Sequence, residues 1–183
     1  LLCTTLYLNF RTSDTDGGYI EVTSAAGLVS TLTLPDGSQV WLNSESTLKY
    51  PSRFTGNQRK VELEGEAYFD VQRDEKKKFI VSTGNDVSIE VLGTEFNVEA
   101  YQQDSYIAAT LVSGKVNLSF PQKNNQMKSI PMQPSQRTII NKNTMAATTY
   151  QAQVEPNIAW KDGKIIFNNK PLDDALKTLG SPF

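Results

Sequence analysis

Apolar and polar residues alternate along most of this chain. The runs YIEVTS (19–24), STLTL (30–34), SQVWLN (38–43), KVELEG (60–65) and AYFDV (67–71) carry Val, Ile, Leu, Thr or aromatic residues at period two. FIVST (79–83), VSIEVLG (87–93), EFNVEAY (95–101), YIAATLV (106–112), KVNLSF (115–120) and RTIIN (137–141) continue the pattern. Period two sends one side of an extended chain into a core and the other into water, so each run is predicted as a strand. The breaks carry turn chemistry: Pro35-Asp36-Gly37, Gly56-Asn57, Gly84-Asn85 and Ser113-Gly114. Many short strands at short spacing predict a mainly β fold, as a sandwich, a roll or a solenoid-like stack.

Three stretches resemble one another. Gly65 precedes Phe69-Asp70-Val71, Gly93 precedes Phe96-Asn97-Val98, and Gly114 precedes Val116-Asn117-Leu118. A glycine inside a strand pattern marks a bulge or a sharp bend, where a strand can turn a corner into another sheet.

Elsewhere the pattern lapses. FPQKNNQMKSIPMQPSQ (120–136) holds three prolines and no periodicity, and is predicted as a hairpin loop or protruding flap. Residues 141–159 read as a connecting segment. The tail predicts a strand at 164–167 and a short helix from Pro171. Proline suits the first helical position, and Asp173 and Asp174 suit the positive end of the helix dipole. Leu172, Ala175, Leu176 and Leu179 form an apolar stripe, and Gly180 is a natural stop. Such a helix needs something to pack on, so the tail reads as a strand–helix start of a truncated α/β module.

The first ten residues, LLCTTLYLNF, are mostly apolar and too short to span a bilayer, which takes about 20. They read as the end of a membrane helix or as a buried first strand, and the polar RTSDTDGG that follows favours the former. The division expected is a membrane-proximal segment over 1–18, an all-β domain over 19–150, and a linker with the start of a βα module over 151–183.

Composition narrows the function. The chain has 183 residues, 38% hydrophobic and 21% charged, with net charge −2. That suits a soluble domain with a real core and argues against nucleic acid, which favours a basic stripe. Histidine is absent, which removes the commonest general base and zinc ligand together. Cys3 is the single cysteine, so no internal disulfide forms.

VELEGEAYFDV (61–71) places Glu62, Glu64 and Glu66 at every second position. Neighbours at that spacing lie about 6.5–7 Å apart, within glycosidase range, but side by side on one face rather than across a cleft. A solvated face opposite Arg53, Arg59 and Lys60 is expected, ahead of a Ca²⁺ site or a catalytic pair, with Glu66 free to leave the phase if Gly65 bulges the strand. RDEKKK (73–78) reads as a solvated hairpin tip, with contact to an acidic partner as the alternative. Trp41 and Trp160 can pack in a core or stack on a sugar. Tyr7, Tyr101, Tyr106 and Tyr150, taken as exposed, suggest a carbohydrate-binding β module as a second reading. No serine has a base to activate it, and the GxSxG, GxxxxGK[ST] and GxGxxG motifs are absent. No enzyme is expected, and no catalytic, cofactor or metal residue is assigned.

Between residues 32 and 98 the elements LPDGS-x-V-x-L-N, L-x-Y-P-x-x-F, R-x-V-x-L-x-GEA-[YF]-F-x-V, F-x-V and V-x-V-L-GT-x-F-x-V occur in order. In them the chain resembles FecR-type anti-sigma factors. TLVSGKVNL (110–118) and the W-x-x-G-x-I-x-F-x-N-x-P-L of 160–172 match the next two. The resemblance implies a regulator that crosses the inner membrane once. Its periplasmic portion takes a signal from the N-terminal domain of an outer-membrane TonB-dependent transporter. A cytoplasmic segment, which this chain lacks, holds an extracytoplasmic-function (ECF) sigma factor. This chain would be the periplasmic part, with its C-terminal module cut short. No cofactor is implied.

Overall fold

A computed structural model describes residues 18–122 and 126–164; the predicted tail strand and helix and the first ten residues lie outside these. Among the described residues thirteen strands form one continuous sheet folded over on itself. They are β1 (Tyr19–Thr23), β2 (Ser30–Thr33), β3 (Gln39–Leu42), β4 (Thr47–Pro51), β5 (Gln58–Asp70), β6 (Lys78–Ser82) and β7 (Ser88–Val91). The remainder are β8 (Glu95–Ala100), β9 (Tyr106–Ser113), β10 (Val116–Pro121), β11 (Met127–Met132), β12 (Gln136–Asn141) and β13 (Ala147–Gln151). A short α1 (Glu155–Ile158) and a 3-10 turn (Ala159–Asp162) follow.

The pivot is β5. Its first half pairs with β4 and β6, and its second half with β3 and β8. One layer therefore runs β1-β4-β5-β6-β7-β10-β11 and the other β2-β3-β5-β8-β9-β12-β13. Val61, Leu63, Val81, Ile89, Leu118 and Phe120 of the first layer join Val40, Phe69, Phe96, Val98, Leu111 and Ile140 of the second in one core. Phe69 stacks on Phe96 at 5.1 Å between ring centroids and meets Phe79 edge-on at 6.1 Å, so aromatic packing ties both layers at the bend.

The three recurrent glycines lie where the chain changes layer. Gly65 bends β5, Gly93 lies between β7 and β8, and Gly114 lies between β9 and β10. Gly65 has φ +94°, and a Cβ there would come 2.7 Å from the Ser46 Cα. Gly114 has φ +89°, and Gly93 lies against the Arg73 backbone. Left-handed backbone and close approach each exclude a side chain.

Several expectations are corrected. The runs at 60–65 and 67–71 fall in one strand, β5, which ends at Asp70, because Gly65 bends the chain without ending the ladder. β4 and β11 lie in segments read as non-strand. The 120–136 stretch is largely a β10–β11 hairpin arm, registered from Val116 opposite Met132 to Pro121 opposite Met127. Pro131 is tolerated there on an edge strand. Residues 141–159 are not merely a connection, since they contain β13 and α1. RDEKKK is not a hairpin tip: β5 and β6 are parallel, so residues 71–77 form a crossover between layers.

Candidate functional site

Beyond β13 the chain turns back over the outer face of the second layer. Residues 152–164 form a strap. Ala152 donates its N–H to the Ser135 carbonyl, Pro156 opens α1, and Gly163 (φ +67°) ends the 3-10 turn. A four-residue helix has no stability of its own, so the strap's shape depends on the sheet beneath.

That sheet face presents a cross-strand row. Trp41 lies opposite Tyr68, Tyr68 opposite Asn97, Asn97 opposite Thr110, Thr110 opposite Arg137, and Arg137 opposite Tyr150. The strap touches it at both ends. Arg137 Nη1 donates to Asn157 Oδ1 at 2.9 Å. The Lys161 ammonium sits 5.7 Å from the Trp41 ring centroid and 5.3 Å from that of Tyr68. Ala159 is buried, and so is the Trp160 indole nitrogen, which has no partner among the described residues.

Arg137 is the hub. Nη1 and Nη2 donate to the two Glu99 carboxylate oxygens at 2.6 and 2.9 Å, and Nη1 also reaches Thr110 Oγ1 at 3.0 Å. Burial works against the guanidinium's charge, but the hydrogen bonds and charge of Glu99 outweigh it and raise its pKa. A bidentate arginine–carboxylate pair has fixed geometry. Asn157 thus docks on a rigid group, and its own amide donates to the Gln153 carbonyl at 2.7 Å.

In the adjacent row Glu66 lies directly opposite Glu99. Glu66 is only 9% exposed. Its Oε1 accepts from Asn97 Nδ2 and its Oε2 from Asn43 Nδ2, both at 2.7 Å. Its backbone N–H donates to Ser46 Oγ at 2.8 Å. Burial, and then the Glu99 charge, push its carboxyl up to about 7, against the two amide donors and Arg137. Asn97 Oδ1 is buried without a partner among the described residues.

The three glutamates therefore part company. Glu62 and Glu64 face solvent as expected, while Glu66, one step past the bend, is buried on the outer face beside Asn97. Arg59 does not face these carboxylates across water. It is 2% exposed and pairs with Asp36 at 2.7 Å. Trp41 lies outside the core, half-buried on the outer face. Tyr101 donates to the Ser44 carbonyl at 3.0 Å, and burial raises its pKa to about 12. Tyr106 turns its hydroxyl to Glu99. Tyr101 and Tyr106 are half-buried rather than exposed, Tyr150 is exposed, and Tyr7 lies outside the described residues. Arg137 and Asn157 were not singled out by sequence reasoning; the signal available was an arginine standing within an apolar strand pattern. Among the described residues no group of three or more acidic, cysteine or histidine side chains is placed to hold a metal ion. Apart from Asn97 Oδ1 and the Trp160 indole nitrogen, the buried polar groups of this face bond to one another, an arrangement suited to holding a segment in place.

A layered all-β scaffold with a docked strap is a platform for contacts, and the comparisons with known proteins give its class. Residues 20–117 match the model of the FecR protein family. Two crystal structures of candidate anti-sigma factors from Parabacteroides distasonis, at 2.50 and 1.65 Å resolution, share the fold. The first is 34% identical with a TM-score of 0.78, over 90% of this chain and 75% of its own. The second is 35% identical with a TM-score of 0.77, over 87% and 73%. No curated protein matches the sequence. The chain belongs to the FecR family of anti-sigma factors, a regulatory rather than an enzymatic family.

Proposed function

We propose that this chain is the periplasmic sensor and relay portion of a single-pass inner-membrane anti-sigma factor. It takes a signal from the N-terminal signalling domain of an outer-membrane TonB-dependent transporter. It passes that signal to an ECF sigma factor held by a cytoplasmic segment. Family membership supports the regulatory role. Among the described residues no helix is long and apolar enough to cross a membrane.

The observation that carries the relay reading is the strap. Through Arg137–Asn157 and Lys161 over Trp41 and Tyr68, residues 152–164 are fixed to the β layers. Whatever engages the chain beyond residue 164 then pulls on β12, β3 and β5 rather than on a slack linker. A transporter signalling domain docked at the C-terminal segment would reach the β domain by this route. Pull-down with that signalling domain, with and without residues 160–183, tests the reading. Loss of capture on truncation is expected; equal capture would sink a C-terminal docking site.

A further inference from the structure

The crossover at 71–77 walls a second feature, away from the strap. With Pro35, Asp36, Arg53 and Phe54 it encloses an open cleft of about 670 Å³. Arg59 lies under this cleft. Its Nε donates to the Lys77 carbonyl at 3.0 Å, and its Nη1 to Asp36 Oδ2 at 2.7 Å and to the Gln72 carbonyl at 2.8 Å. All three acceptors belong to residues of the cleft wall, so the guanidinium forms its floor. Nη2 is buried and has no partner among the described residues. The guanidinium also lies over the Phe79 ring, 5.4 Å from its centroid, which offsets part of the cost of that unpaired donor.

The wall is unevenly charged. Five cations line it (Arg53, Arg59, Arg73, Lys76 and Lys77) against three acids. The acids are already engaged: Asp36 holds Arg59, Glu75 holds Arg73, and Asp74 accepts the Lys76 and Lys77 backbone N–H groups. Arg53 and Lys76 are exposed, with no side-chain partner among the described residues. Phe54 adds an apolar wall. Unpaired cationic rim groups over a positively charged floor, with an apolar flank, match a carboxylate on a peptide better than a bare ion.

We propose that this cleft binds an acidic peptide segment of a protein partner. A carboxylate enters between Arg53 and Lys76, and the peptide's apolar atoms lie along Phe54. Arg59, held beneath by Asp36 and the Gln72 and Lys77 carbonyls, adds a fixed positive charge to the floor. This site is separate from the strap and stands whether or not the transporter docks beyond residue 164.

The test uses the whole 183-residue chain and a fluorescein-labelled hexaglutamate peptide, read by fluorescence anisotropy at low salt. Saturable binding is expected, weakened about tenfold in the double variant Arg53→Gln/Lys76→Gln, since two unpaired rim charges are removed. Lys128→Gln, on distant β11, is expected to change nothing. These are surface positions, so folding is retained, checked by thermal melting. Absence of saturable binding overturns the proposal. So does equal weakening by Lys128→Gln, which would mean unspecific charge attraction. Displacement by inorganic phosphate as effective as that by unlabelled peptide would overturn the peptide assignment.

Discussion

Arg137 and Asn157 are joined by a hydrogen bond of 2.9 Å that ties β12 to the strap. The same guanidinium grips Glu99 with both terminal nitrogens. One buried side chain thus closes a polar network within the sheet and anchors a segment outside it. The two roles can be separated experimentally.

Asn157→Ala should free the strap and spare the sheet. It removes an acceptor for a charged donor, with an expected cost of about 1–2 kcal/mol confined to the strap. Hydrogen exchange should quicken at residues 152–164 while β12 amides keep their protection. Arg137→Met should do more. It leaves the partly buried Glu99 carboxylate beside Glu66 without a counter-charge, which costs up to about 3–5 kcal/mol, and the melting temperature of the whole domain should fall.

Glu66 gives the pH dependence its sign. An unfolded chain releases this proton near 4.5, whereas the folded state holds it to about 7. Between these values the folded state binds more protons, so unfolding free energy falls as pH rises. The contribution is full below about 4.5 and lost above about 7. Glu66→Gln should flatten that slope and be the more stable protein at pH 8, because Gln stays neutral and Asn97 can turn its unpartnered Oδ1 toward it. Urea unfolding from pH 4.5 to 8 checks this. An unchanged slope would mean that Glu66 ionises normally.

Gly65→Ala should be among the most damaging small substitutions. The left-handed backbone costs about 1–2 kcal/mol, and overpacking against Ser46 adds about 1–3 kcal/mol. Ser46→Gly should not rescue it, because the new Cβ would still lie 2.7 Å from the residue 46 Cα. Thermal denaturation of the single and double variants decides.

Lys161→Ala removes a cation held over two rings. A loss of about 0.5–2 kcal/mol is expected, since the side chain is 19% exposed and also pairs with Asp162. Trp41 emission should shift as its face opens to water, while far-UV dichroism stays unchanged.

What the sequence disclosed follows physical lines. Alternation identified most strands, because each layer has one wet face and one dry one, and the three glycines were legible as corners. Pairing between distant segments was not legible. The parallel β5–β6 ladder turned a charged run that looked like a hairpin tip into a crossover. β11 carries Pro131, and β13 (ATTYQ) is polar and almost wholly exposed, so neither showed a buried face. The site was hidden for a related reason. Period two places Glu66 with Glu62 and Glu64, yet the bend at Gly65 takes it to another layer, and the strap that docks on that layer has an irregular sequence of its own. The likeness to FecR-type proteins was carried by turn and bend residues, which local pattern does preserve.

On the proposed reading, the strap transmits a signal between the β layers and the C-terminal segment of an anti-sigma factor. The most direct measurement is a sigma-dependent reporter in cells carrying the full-length regulator with Asn157→Ala, with and without inducer. A protein of normal abundance is expected, with a reduced reporter response to inducer and faster exchange at residues 152–164. An unchanged inducible response from a variant whose strap exchanges freely would contradict it.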